Sequence, residues 1–318
     1  MLTDYPIPEF AVELRGLTKI YAGRGKTLPK EALKNIDLKI PRGSIFGLLG
    51  PNGAGKSTII NIMAGLVKKT IGAAIVWGFD TEAQSRQSRS CIGVVPQELN
   101  LDAFFTPYEL LELHGGMYGL TKPERITAQL LEAVGLTDKA HAAARTLSGG
   151  MRRRLMVAKA MVHQPPVLVL DEPTAGVDVD LRRSLWEYVR ELNRKGTTVL
   201  LTTHYLEEAE ELCDQIAIIN HGELVANESK QTLLRILDGK EIIVTTDADI
   251  SALPPDLHRL GFELLNVRQL RLCYKPSQTQ IGHVFTALQS AGVNIVDLST
   301  RETDLEDIFL QLTRRAAA

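Results

Sequence analysis

Gly50-Pro51-Asn52-Gly53-Ala54-Gly55-Lys56-Ser57 fits the pattern G-x-x-x-x-G-K-[ST], and each fixed residue type answers a demand of phosphate chemistry. Gly50, Gly53 and Gly55 free the backbone to bend until its N–H groups face an anion. Lys56 brings a positive charge to the β- and γ-phosphates, and the Ser57 hydroxyl is a ligand for Mg2+. With Thr58 the loop passes into a helix whose dipole aims its positive end at the same anion. In Val167-Leu168-Val169-Leu170-Asp171-Glu172, four apolar residues deliver two carboxylates to the end of a buried strand, the sheet edge where ligands bind. Asp171 is placed to hold Mg2+, directly or through water. Glu172 is placed to polarise a water for in-line attack on a γ-phosphate. Taken singly, the first segment could be a Gly-rich turn that binds nothing and the second an ordinary strand end. Together they point strongly to a nucleoside triphosphate site, which leaves kinases, GTPases, motors and transporters open.

These residues need a frame. Residues 44–49 form an apolar run leading into the glycines, and Ile59, Ile60, Ile62, Met63 and Leu66 follow at helical spacing, giving strand, loop, helix. Val12, Leu14 and Leu17, then Ile36, Leu38 and Ile40, nearly alternate as in half-buried strands. Residues 107–118 read as a helix. Thr121 with Glu124 three residues on predicts the start of another, reaching Gly135. Apolar runs at 167–170, 198–201 and 215–220, separated by helical patterns including 178–195, predict an α/β domain with a largely parallel core sheet. Past Gly239 the pattern changes. Strands at 241–246, 270–274 and 293–298 and a helix bearing Ile281, Val284, Phe285 and Leu288 predict a small C-terminal α+β domain over 240–318, after a nucleotide-binding domain over 1–239.

Composition narrows the setting. The chain has 318 residues, 44% hydrophobic and 23% charged, with net charge −2. Such a chain is globular and lacks the basic excess of a protein that binds nucleic acid over a broad surface. Three widely spaced cysteines, Cys91, Cys213 and Cys273, suit a reducing compartment. The longest stretch without Lys, Arg, Asp or Glu, 276–296, is too rich in Gln, Ser and Thr to cross hydrocarbon. The first residues carry no basic-then-apolar leader. The expectation is a cytosolic protein that reaches a membrane only through a partner.

Leu147-Ser148-Gly149-Gly150-Met151 separates the kinds of phosphate-loop protein. A Ser hydroxyl and two unhindered Gly N–H groups at a helix start form an anion site, although a plain helix cap would look the same. The segment resembles the LSGGQ signature of the ATP-binding cassette (ABC) ATPases, with Met151 in place of Gln. That resemblance implies a cassette with a mainly parallel core sheet, an antiparallel β subdomain and a helical subdomain over about 98–163. It also implies a head-to-tail homodimer enclosing two Mg2+-ATP, in which Ser148, Gly149 and Gly150 touch the nucleotide held by the opposite protomer. Other matches follow in order. Tyr21 resembles the aromatic residue that stacks on adenine, unless it is a core strand aromatic. Gln97 resembles the glutamine that reaches Mg2+ and the attacking water. Ala175-Gly176-Val177-Asp178 resembles the D-loop, with Asp178 crossing the dimer interface or capping its helix, or both. His204 resembles the switch histidine that hydrogen-bonds the γ-phosphate.

Arg145, Arg152, Arg153, Arg154 and Lys159 read as a mixture of solvated helix face and positive field around the second nucleotide. Residues 149–155, 174–178, 202–210 and 303–309 resemble the ATPase subunits of type-2 ABC exporters. The resemblance implies a separate transmembrane permease, the cytoplasmic face of the bacterial inner membrane, and a docking segment over 98–119. There Phe104, Phe105, Tyr108 and Leu110 either meet the permease or pack beneath the helical subdomain. One rival is a soluble ABC ATPase acting on ribosomes or nucleic acid. It is opposed by the single cassette, the lack of a heptad run between Lys56 and Asp171, and the net charge. A phosphate-loop metabolite kinase is opposed by the Ser148 segment. For 240–318, a structural role in dimerisation is expected over ligand sensing, since no His, Cys or paired-acid cluster is found there.

Overall fold

The computed structural model describes residues 6–23, 28–98, 101–102, 104–174, 179–203, 205–236, 240–250, 252–274 and 279–302. It divides into two compact units, Met1–Ser229 and Lys230–Ala318. The division falls ten residues before the expected domain boundary, because the helix after Ser229 groups with the second unit.

Long strands β1 (Phe10–Tyr21) and β2 (Lys30–Pro41) pair antiparallel. The imperfect alternation of Val12, Leu14 and Leu17 reflects a register shift between Leu14 and Leu17. β3 (Ile45–Leu49), buried throughout, enters the glycine loop, and α1 (Lys56–Met63) leaves it. β4 (Ile71–Val76) and β5 (Phe79–Asp80) complete a four-stranded antiparallel sheet in the order β2-β1-β4-β5. After α2 (Ser85–Ser90) and β6 (Ile92–Val95) the chain turns helical: α3 (Pro107–Met117), α4 (Thr127–Ala133) and α5 (Gly149–Ala160). β7 (Val167–Asp171), α6 (Val179–Arg194), β8 (Thr198–Thr203), α7 (Leu206–Leu212), β9 (Gln215–Asn220) and β10 (Glu223–Ser229) follow. The second sheet runs β10-β9-β3-β8-β7-β6, parallel from β9 to β6 with β10 as an antiparallel edge. One core joins the sheets through α1: Ile59, Ile62 and Met63 pack between Leu14, Leu17 and Ile36 of one sheet and Val167, Val169 and Leu200 of the other. The parallel strands therefore end along one edge, where Gly50, Gln97 and Asp171 follow β3, β6 and close β7.

The helix expected from Thr121 is broken. Thr121 and Glu124 do form a capping box, but around a three-residue turn. Arg125 then leaves the helical conformation (φ −80°, ψ 131°). Its guanidinium meets Glu112 at 2.7 Å and Leu120 O at 3.1 Å, so tertiary partners outweigh local helix propensity.

The second unit contains α8 (Lys230–Ile236), β11 (Lys240–Thr246), α9 (Pro255–Arg259), β12 (Phe262–Asn266), β13 (Gln269–Tyr274), α10 (Ile281–Ser290) and β14 (Ile295–Glu302). From β11 onward this is β-α-β-β-α-β with strand order β12-β13-β11-β14, the ferredoxin-like split βαβ arrangement. Leu257, Val284 and Leu288 of the helices cover Ile242, Val244, Leu270 and Leu272 on one sheet face. Strand β12, four of whose five residues are exposed, lacks the alternation that would reveal it in sequence. No helix among the described residues is long and apolar enough to cross a membrane.

Candidate nucleotide site

The loop from Gly50 to Thr58 is held by its surroundings as well as by its glycines. A Cβ at Gly50 would collide with Ile219 O of β9, so the close approach of loop to strand requires glycine. Gly55 has φ 116°, a conformation that suits residues without a Cβ. Gly222 N, in the turn after β9, donates to Ala54 O at 2.9 Å, and Lys34 N donates to Gly222 O at 2.8 Å. That turn braces the loop against β2. Ile59 N donates to Gly55 O at 3.1 Å, so helix geometry leaves the N–H groups of Lys56, Ser57 and Thr58 without intrahelical acceptors. Lys56, only 5% exposed, folds back so that Nζ donates to Gly50 O at 2.6 Å. Burial pulls its pKa down, while Glu172 and Asp171 oppose that shift.

The loop lines a cleft of about 420 Å3 together with Tyr21, Lys30, Gln97 and Glu172. Pro51, Asn52, Gly53, Ala54, Gly55, Lys56, Ser57 and Thr58 all line it. Tyr21 is 38% exposed with Lys19 Nζ 4.7 Å from its ring centre, so it is a wall of the cleft and no core aromatic. Gln97 Nε2 donates to Glu172 Oε2 at 2.8 Å, joining residues from the ends of β6 and β7. Glu172 is buried and takes a positive φ of 46°, a conformation uncommon for a residue with a Cβ and often tied to function. Its N–H donates to Thr202 O at 3.0 Å and Thr202 Oγ1 at 3.2 Å.

Asp171 does not line the cleft itself but a neighbouring cavity of about 330 Å3 between α1, β6, α3 and α5, and its charge still acts on Lys56. Thr202 Oγ1 donates to Asp171 Oδ1 at 2.5 Å. Burial pushes the Asp171 carboxyl up and Glu172 adds to this, against the Thr202 bond, Lys56 and Arg153.

Ser148 heads α5 and is not among the residues that line the cleft. Ser148 caps α5, its hydroxyl accepting from Met151 N at 3.2 Å. Ser148 and Gly149 are exposed, with open space around Gly149 and Gly150 buried. Asp178, with the rest of 175–178, and His204 lie outside the described residues, as does 303–309. The segments before 175–178 and 204 share an anchor: buried Glu208 accepts from Thr203 Oγ1 at 2.8 Å and from Thr174 Oγ1.

Sequence reasoning did not single out Thr202, Glu208 or the brace at Gly222 as part of the site. A Thr in a buried strand and a Glu among several on a helix carry no local signal. It also misplaced Arg153, which is neither a solvated charge nor a source of open field. Arg153 is buried because Nη1 donates to Pro96 O at 2.9 Å and Nη2 to Gln97 O at 3.0 Å.

Fold and cleft define a phosphate-loop nucleoside triphosphatase: a glycine loop between a buried strand and a helix start, with two carboxylates at the adjacent strand end. Residues 33–175 match the domain family described as ABC transporter. A linearmycin resistance ATP-binding protein of Bacillus subtilis (strain 168) is 40% identical over 294 residues, 90% of this chain and 94% of that protein. A Nod factor export ATP-binding protein I of Rhizobium sp. (strain N33) is 36% identical over 311 residues, 96% of this chain and 97% of that protein. Among solved structures, a dimeric ATP-binding cassette in a post-hydrolysis state with ADP and Pi aligns with TM-score 0.62 and 28% identity, over 69% of this chain and 98% of that one. The chain belongs to the ABC transporter family of ATP-binding proteins and is an ATPase.

Proposed function

We propose that this chain is the ATP-hydrolysing subunit of a membrane exporter, closing as a head-to-tail homodimer around two ATP to drive a separate permease. The observation that carries the ATPase chemistry is the Gln97–Glu172 contact at 2.8 Å in a cleft lined by the glycine loop. The likeness to linearmycin resistance and Nod factor export ATP-binding proteins over nearly the whole chain supports export.

In this reading, N–H groups of the loop and the first turn of α1 bind the phosphate chain. Lys56 moves from Gly50 O to the β- and γ-phosphates, and Tyr21 stacks on adenine. The donors near the γ-phosphate end are hard oxygens, the Ser57 hydroxyl, the Asp171 carboxylate and the Gln97 amide, and they fit Mg2+, which takes one or two protein carboxylates beside substrate phosphates. Mg2+ bound there would neutralise charge on the β- and γ-oxygens. Glu172 accepts the proton of the attacking water, and His204 hydrogen-bonds the γ-phosphate. Ser148, Gly149 and Gly150, exposed in a single protomer, cap the γ-phosphate of the partner, with Asp178 at the shared interface.

The permease docks at the cytoplasmic membrane face on the segment 98–119. There Phe104 is 87% exposed and Met117 69%, whereas Leu110 is buried; exposed apolar groups of this kind suit a partner surface. The unit after Ser229 serves as an accessory domain that steadies the dimer.

The Glu172→Gln variant tests the base. It should bind ATP and accumulate as a dimer on size-exclusion chromatography, with hydrolysis reduced by about 10²-fold or more. Hydrolysis at the wild-type rate would remove Glu172 from that role.

A further inference from the structure

Arg153 is only 4% exposed, and no carboxylate among the described residues forms an ion pair with it. Its guanidinium spends two arms on consecutive backbone carbonyls, Pro96 O and Gln97 O, far away in sequence, and Nε has no partner among the described residues. A buried charge held in this way is costly as a stability device. Its fork, however, matches two neighbouring acceptors in a fixed plane, which a lysine cannot do. The two acceptors are the carbonyls around the N–H of Gln97, whose side chain holds Glu172 Oε2. The other end of the link is α5, on which Arg153 sits in the second turn after the Ser148 cap. Arg154, next along the helix, ties the same turn to Val134 O at 2.6 Å.

We infer that Arg153 is a positioning residue for ATP hydrolysis: it fixes the backbone at Gln97 so that the amide reaches Glu172, and ties that geometry to the helix presenting Ser148. It touches no reacting atom and acts through Gln97. This rests on the ATPase reading of the cleft. Loss of the fork should lower turnover while leaving the cleft that binds nucleotide in place, and the loss should vanish once the Gln97 side chain is gone.

The test is a double-mutant cycle on the full chain with Mg2+-ATP, using Arg153→Lys, Gln97→Ala and the combination. Arg153→Lys keeps the charge and so guards against misfolding, which a thermal melt checks. The expected result is a kcat about 10-fold lower for Arg153→Lys, with the Kd for a fluorescent ATP analogue within about twofold of wild type. In the Gln97→Ala background the same change should cost less than about twofold. An unchanged kcat, or equal losses multiplying in both backgrounds, would overturn the inference. So would a joint fall of nucleotide affinity and melting temperature, which marks a merely structural arginine. A wild-type chain that hydrolyses no ATP would instead overturn the underlying reading, and this inference with it.

Discussion

At the scale of single residues, the site depends on groups that hold the reacting ones in place. Thr202 is the clearest. Fully buried, it gives its hydroxyl proton to Asp171 while the same oxygen receives the N–H of Glu172. Thr202→Val preserves shape and removes both contacts, leaving the half-buried Asp171 carboxylate short of a donor. A hydrogen bond to a charged group contributes about 2 kcal/mol, so urea denaturation should show a loss of that order, and Asp171 should bind its proton more tightly still. Lys56, Ser57, Asp171 and Glu172 could be nominated from sequence because their types and spacing are those that phosphate chemistry demands. Thr202, Glu208 and Arg153 were not, because each acts through a partner far away in sequence and nothing in its local pattern names that partner.

At the scale of elements, the parallel strands were legible from continuous apolar runs, and the glycine loop from the strand and helix around it. The misread elements were those decided by tertiary contacts. Arg125 breaks a helix that a capping box had announced, and β12 shows no alternation. The turn after α5 carries a pH-sensitive contact of the same tertiary kind. His163 stacks on Tyr118 with centroids 3.7 Å apart and planes within 5°, and its Nε2 bonds Ile92 O at 3.2 Å. Burial pulls its pKa from 6.5 to about 4. A histidine whose folded pKa is depressed adds stability above its unfolded pKa and loses it as pH falls toward the folded value. Stability should therefore decline between about pH 6.5 and 4, by at most about 3 kcal/mol from this group. Chemical denaturation at a series of pH values should show this slope flattened in His163→Gln. An unaltered slope would assign the acid sensitivity to other groups.

At the scale of the whole molecule, one protomer holds an incomplete site. Tyr21, the glycine loop, Gln97 and Glu172 share a cleft, while Ser148 and Gly149 lie exposed at the head of α5. A second copy is the natural source of the missing face, and dimeric cassettes align with this chain. The work of closure then needs a recipient, and the described residues include no helix able to cross a membrane. The most direct test of the central proposal captures that recipient. Tagged Glu172→Gln protein, locked with ATP in native membranes, is isolated in mild detergent and its partners identified by mass spectrometry. The expected result is a multi-span membrane protein in equal amount. Recovery of soluble partners alone, such as ribosomal proteins, would contradict the transport assignment while leaving the ATPase chemistry intact.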